Sequence, residues 1–101
     1  MIVTVFRSRL RPEAVDEYIK WSVLTGDLAK TMPGYISHKG FTALDGERVT
    51  IVEFEDEESL RGWSQQADHL QAKKLGREQF YLEFRVQVCT LQRQTDFPKP
   101  K

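Results

Sequence analysis

The densest run of reactive side chains lies between Trp63 and Phe84, in the stretch WSQQADHLQAKKLGREQFYLEF. An imidazole at His69 can accept a phenolic proton, a guanidinium at Arg77 can hold the resulting anion, and flat rings can wall off water. Trp63, Tyr81 and Phe84 supply such rings from within the stretch, and Trp21 supplies another from further upstream. The same residues also read as the corner of a small core. On that reading His69 is a helix-start residue bonded to the next loop, the rings are packing, and Arg77 is solvated.

Spacing decides whether Trp63 and His69 can cooperate. Six residues along one continuous helix leave the two side chains roughly 240° apart, so they share a face only if the helix breaks between them. Asp68 with Gln71 three residues later resembles a capping box and would supply that break. At the start of a fresh helix, the positive dipole end keeps His69 neutral. Arg85 falls mid-strand between Phe84 and Val86. It is a second candidate for holding a substrate anion, with pairing to Glu83, Glu53 or a partner-chain carboxylate as the structural alternative. His38 reads as a surface or dimer-facing strand residue and Cys89 as a small apolar one.

These side chains must be held by regular elements. Ile2 to Ser8, IVTVFRS, is β-branched and reads as a strand, and Pro12 suits the first turn of a helix. From Glu13 to Met32 the apolar residues Ala14, Val15, Tyr18, Trp21, Leu28, Ala29 and Met32 fall on one side at helical period, with MPGY as the stop. YISHKGFT and RVTIVEFE flank ALDGE, whose Asp45-Gly46 pair predicts a hairpin. Asp56 is placed to cap a helix beginning EESLRGW, and Lys73, Lys74 and Gly76 read as the end of the second helical region. YLEFRVQVCTLQ is the last strand.

The order β-α-β-β-α-β predicts an α+β, ferredoxin-like fold with a four-stranded antiparallel sheet covered by helices on one face. Residues 1–93 form one domain and 94–101 an extended tail. The first and third strands should be central, which leaves one alternate set, Val3, Val5, Val49 and Ile51 or its complement, for a second copy to cover.

Composition narrows the class. Fifteen acidic and fifteen basic residues cancel, so no net field favours nucleic acid or an anionic membrane. A single cysteine, Cys89, excludes an intrachain disulfide framework and fits a reducing, cytoplasmic setting; no Cys/His cluster has zinc-ligand spacing. MIVTVFRSRLRP meets charge too early for a secretion signal or a membrane span.

Taken together, the first strand and helix, MPGYISHKGF, the hairpin, VEFEDEESLRGW and HLQAKKLGREQFYLEFRVQV resemble the antibiotic biosynthesis monooxygenase domain of the dimeric α/β-barrel superfamily, over about Ile2 to Leu91. The resemblance implies the fold and a homodimer. Some family members oxidise polycyclic phenols or quinols with dioxygen and no cofactor; others bind and degrade heme. In the heme branch an Asn on the first strand corresponds to Phe6 or Arg7 here, and the iron-ligating His corresponds to Lys73. His69 matches a second His of some relatives that is not the iron ligand. In the polyketide-oxidising branch, an Asn and a Trp on the third strand correspond to Thr50 and Phe54, so neither branch's set is complete.

The expectation is therefore a homodimeric, cofactor-independent monooxygenase acting on a small aromatic molecule, a quinol or polyphenol. His69 is its base, Arg77 or Arg85 its anion holder, and Trp63, Tyr81, Phe84 and Trp21 its walls. A non-catalytic dimeric module for a small ligand is the first alternative, and heme binding or degradation the second.

Overall fold

The computed structural model describes residues 1–100, apart from the side chains of Ala67 and Asp68. Four strands form one antiparallel sheet: β1 (Ile2–Leu10), β2 (Tyr35–Thr42), β3 (Arg48–Phe54) and β4 (Tyr81–Thr90), in the spatial order β2-β3-β1-β4. β1 and β3 are the central pair. Three helices, α1 (Val15–Ala29), α2 (Glu57–Ser64) and α3 (Ala67–Leu75), complete the α+β, ferredoxin-like arrangement.

Register assigns each strand residue to a face. Thr4 pairs with Val52 and Val88, and Phe6 with Thr50 and Val86. Ile2, Thr4, Phe6 and Ser8 therefore point to the helices together with Thr50, Val52, Phe54, Phe84 and Val86, because strand side chains alternate. Val3, Val5, Val49 and Ile51 form the opposite set, on the face that no helix among the described residues covers.

Chain breaks follow local chemistry. Pro12–Ala14 is a single 3-10 turn, and α1 proper starts at Val15. It also stops three residues before the expected Met32, because Thr31 and Met32 donate backbone bonds to Leu28 and Ala29, tightening the last turn ahead of Pro33. Gly34 then takes a φ of 78°, and Gly46 one of 91° in the β2–β3 hairpin, a conformation that a side chain would strain. Asp56 caps α2 as its sequence position predicts, its carboxylate accepting from the Ser59 N–H at 2.8 Å.

Two expectations change around α3. The helix begins at Ala67, and it is the Gln66 side-chain oxygen that accepts the His69 N–H, at 3.0 Å. The capping role expected of the Asp68 side chain lies outside the described residues. Gly76 is not a left-handed helix stop either: the chain continues through a wider π turn, Gly76–Phe80, straight into β4. Gly76 is needed for contact instead, since a Cβ there would come within 2.5 Å of the Tyr81 ring.

The core is divided. Ala14, Tyr18 and Phe80 pack at one end of the helical layer, and Ala29, Phe54 and Trp63 at the other. Between them α1 presents small residues, Ser22, Thr25 and Gly26, over the sheet centre. The helical layer and the sheet therefore do not close, and a cavity of about 340 Å³ remains.

Candidate active-site cavity

All four strands and all three α-helices contribute to this cavity. β1 gives Thr4 and Phe6, α1 gives Trp21, β2 gives His38, α2 gives Trp63, α3 gives His69 and Lys73, and the π turn with β4 gives Arg77, Tyr81, Phe84 and Val86. Its size falls at the lower end of ordinary small-ligand pockets, which start near roughly 300 Å³.

Rings make the walls. Phe6 stacks on Phe84 with centroids 5.8 Å apart and meets Tyr81 edge-on at 5.4 Å. Tyr81 in turn contacts Tyr18 at 6.0 Å. Burial, reinforced by the neighbouring Tyr18, pushes the Tyr81 phenol well above its ordinary range, so it stays protonated and acts as a hydrogen-bond donor.

His69 is held from two sides. Its ring lies parallel to the Trp63 indole, 4.0 Å between centroids and 13° between planes. Its Nδ1 lies 3.0 Å from the Trp63 carbonyl oxygen. Because a carbonyl only accepts, Nδ1 carries the proton, and Nε2 is left with its lone pair. Burial pulls the imidazole pKa below its usual value, against the raising effect of the Trp63 carbonyl, and the nearby Lys73 lowers it further. The chemical result is a neutral imidazole with one acceptor nitrogen.

Four residues further along α3, Lys73 donates to the Ser64 carbonyl at 2.9 Å. His69 thus adds a bond to the Trp63 carbonyl, which also accepts the Gln66 N–H, and Lys73 bonds the next carbonyl, so this i, i+4 pair ties α3 to the end of α2. Lys73 stands where the heme branch has its iron ligand. An ammonium group bonded to a backbone carbonyl has no free electron pair for iron, so this position does not fit heme ligation. Among the described residues no three His, Cys, Asp or Glu side chains gather as a metal site.

Arg77 borders the cavity, with its guanidinium 5.9 Å from the Phe84 ring centroid and no acidic partner among the described residues. Trp63, Tyr81, Phe84 and Trp21 all line the same space as His69 and Arg77. Arg85 does not. It pairs in register with Arg7, on the face turned away from the helices, so the sheet itself separates it from the cavity. The expected contact between Arg85 and substrate is corrected by strand phase alone.

Phe6 and His38 line the cavity without having been placed there by sequence, and Arg48 lies just outside it. Phe6, rather than Arg7, faces the cavity, while Arg7 is bonded to Glu47 on the other face. His38 is not on the surface or the open face. It lies against α1 at Gly26, with Nδ1 2.7 Å from the Tyr35 hydroxyl. Arg48 sits over the Tyr18 ring at 5.3 Å. The phase of β1 and β3 was the available signal, since the polar set Thr4, Ser8, Arg48 and Thr50 shares a face with Phe6 and Val52. Thr4 is buried in the middle of the sheet, where Val would pack better, and its hydroxyl has no hydrogen-bond partner among the described residues.

The family model for antibiotic biosynthesis monooxygenase matches residues 1–75. The uncharacterized protein YqjZ of Bacillus subtilis is 27% identical over 70 residues, which cover 69% of this chain and 61% of YqjZ. The chain thus matches less than two thirds of that relative's length. The fold is similar to that of Rv0793 from Mycobacterium tuberculosis, with a TM-score of 0.84 and 16% identity over 94% of this chain and 98% of that one. It is also similar to SnoaB, a cofactor-independent oxygenase from Streptomyces nogalater, with a TM-score of 0.80 and 21% identity over 97% of each chain. At these identities the likeness is one of fold.

Proposed function

Because the chain belongs to the antibiotic biosynthesis monooxygenase family, we propose that its cavity oxidises a small electron-rich aromatic, a phenol or quinol, with dioxygen and without a cofactor. The observation that carries this reading is the neutral His69, with a free Nε2, among aromatic walls.

His69 Nε2 takes the phenolic proton, and the phenolate donates electron density into the ring. Dioxygen adds at the activated ring carbon to give a peroxide, whose O–O bond then breaks as the ring proton leaves. One oxygen atom stays as the new carbonyl and the other departs as water. A phenol plus dioxygen thus becomes a quinone plus water, with all four electrons supplied by the substrate. Arg77 and the protonated Tyr81 stabilise the developing oxyanion, and Trp63, Trp21 and Phe84 exclude water from the intermediate.

We assign the open sheet face, Val3, Val5, Val49 and Ile51, to a second copy of the chain, because contiguous apolar faces are normally covered. No helix among the described residues is long and apolar enough to cross a membrane, and a cytoplasmic setting suits a lone, unbridged cysteine, Cys89.

A second reading has its own observation. Phe54, at the position where the polyketide-oxidising branch has a Trp, is fully buried in the core and offers nothing to a substrate. That favours a module that binds an aromatic ligand without turnover. Oxygen-electrode traces over a panel of phenols, naphthols and quinols separate the two. Uptake that depends on protein and is cut at least tenfold by Arg77→Gln supports the oxygenase. Saturable binding across the panel with no uptake supports the binding module.

A further inference from the structure

Next to the aromatic cavity lies a smaller one of about 270 Å³, bordered by Ser22, Gly26, Asp27, His38, Gly40, Arg48 and Thr50. Ser22, Gly26, His38 and Thr50 border both spaces, so the smaller one adjoins the larger as an annex. Its distinguishing group is Arg48. Arg7 is bonded to Glu47, and Arg9 to Asp45 and Glu83. Arg48 has no acidic partner among the described residues. Its Nη1 donates to the Thr42 hydroxyl at 3.2 Å, its plane rests on Tyr18, and its Nε is buried with no hydrogen-bond partner.

A half-buried guanidinium without a counter-charge is costly unless something fills that role. The backbone also leaves room for it. A Cβ on Gly40 would come within 2.9 Å of Arg48 Nη2, and one on Gly26 within 2.8 Å of His38 Nε2, so both glycines let these side chains lie against the backbone where they border the annex. Asp27 borders it from the outside, but its side chain is 70% exposed and lies 3.9 Å from Lys30. It does not compensate Arg48.

We propose that this annex binds a carboxylate substituent of the aromatic substrate, anchored by Arg48 with the Ser22 and Thr50 hydroxyls beside it. The substrate class of the oxygenase reading, on which this rests, thereby narrows to phenols carrying a carboxylate away from the reacting ring carbon. A planar guanidinium matches a planar carboxylate, and the shared border lets one molecule span both spaces.

The test uses calorimetric titration of the whole protein with two probes, a naphthol and the same naphthol bearing a carboxylate on its second ring. Wild type should bind the acid about tenfold tighter, as one charge-assisted contact allows. Arg48→Gln should erase that advantage and leave naphthol affinity within about twofold, while Arg48→Lys should retain part of it. Gly40→Ala, which keeps Arg48 but crowds Nη2, should weaken the acid selectively and stands in if Arg48→Gln does not fold. Equal binding of the two probes, failure of both to bind, or an advantage that survives both Arg48→Gln and Gly40→Ala overturns the annex assignment. Oxygen uptake on the same samples reports separately on the oxygenase reading. An acid preference without uptake supports the annex and removes the oxygenase, whereas uptake from naphthol without acid preference removes the annex alone.

Discussion

Replacing His69 with Ala removes two interactions that can be counted. One is the Nδ1–H bond to the Trp63 carbonyl at 3.0 Å, worth about 1 kcal/mol net. The other is the parallel stack on Trp63 at 4.0 Å, also worth about 1 kcal/mol. The Gln66 N–H still reaches the same carbonyl at 3.1 Å, so the loss leaves no orphaned acceptor and stops near 2 kcal/mol. For a domain of this length that lowers Tm by about 10 °C, measurable by circular dichroism melts at pH 7.5. His69→Asn separates structure from chemistry, because its amide can donate where Nδ1 did but carries no basic nitrogen. It should recover about 1 kcal/mol of stability while remaining at least about a hundredfold slower in oxygen uptake. An unchanged Tm in His69→Ala would refute the stacked, bonded geometry, and restored turnover in His69→Asn would refute the base.

The depressed pKa of His69 gives stability a pH dependence of definite sign. The folded protein holds this imidazole neutral, so its contribution is complete above the unfolded value near 6.5 and is lost as pH falls through the lower folded value; urea titrations below pH 6.5 should show the midpoint falling, and falling less in His69→Asn. Val5→Glu puts a charge in the middle of the open sheet face, opposite Ile51. Light scattering should find a dimer in wild type and monomer or precipitate in the variant, a loss on the order of several kcal/mol for an unpaired interfacial charge; a wild-type monomer at micromolar concentration contradicts the assignment of that face. Gly76→Ala forces the Tyr81 ring to move away from a methyl 2.5 Å from it, and chemical denaturation should record a loss of about 1–3 kcal/mol.

The strand order, the hairpin at Asp45-Gly46 and the Asp56 cap were legible because each rests on local chemistry: β-branched runs, a positive-φ glycine, a carboxylate three residues before the N–H it accepts. The cavity and its annex were only partly legible. Trp63, His69, Arg77 and Tyr81 sit within one short stretch, so their grouping needed little tertiary information. Arg48, His38 and Phe6 come from three different strands and meet only through register, which a one-residue shift in phase would reverse. Arg85 was misplaced for the same reason, since nothing local to FRVQV says which face meets the helices. Gly76 misled in another way: a glycine after a lysine pair looks like a helix stop, while its true constraint is a ring five residues later in the chain.

The central claim is that this cavity joins dioxygen to an aromatic substrate using only its own side chains. Turnover of a panel phenol under ¹⁸O₂, with chelator present and no flavin or heme added, tests it most directly, with product and solvent water read by mass spectrometry. The account predicts one labelled oxygen in each quinone, the other in water, and one dioxygen consumed per product. Unlabelled product, dioxygen appearing as hydrogen peroxide, or a rate that His69→Asn leaves unchanged would contradict it.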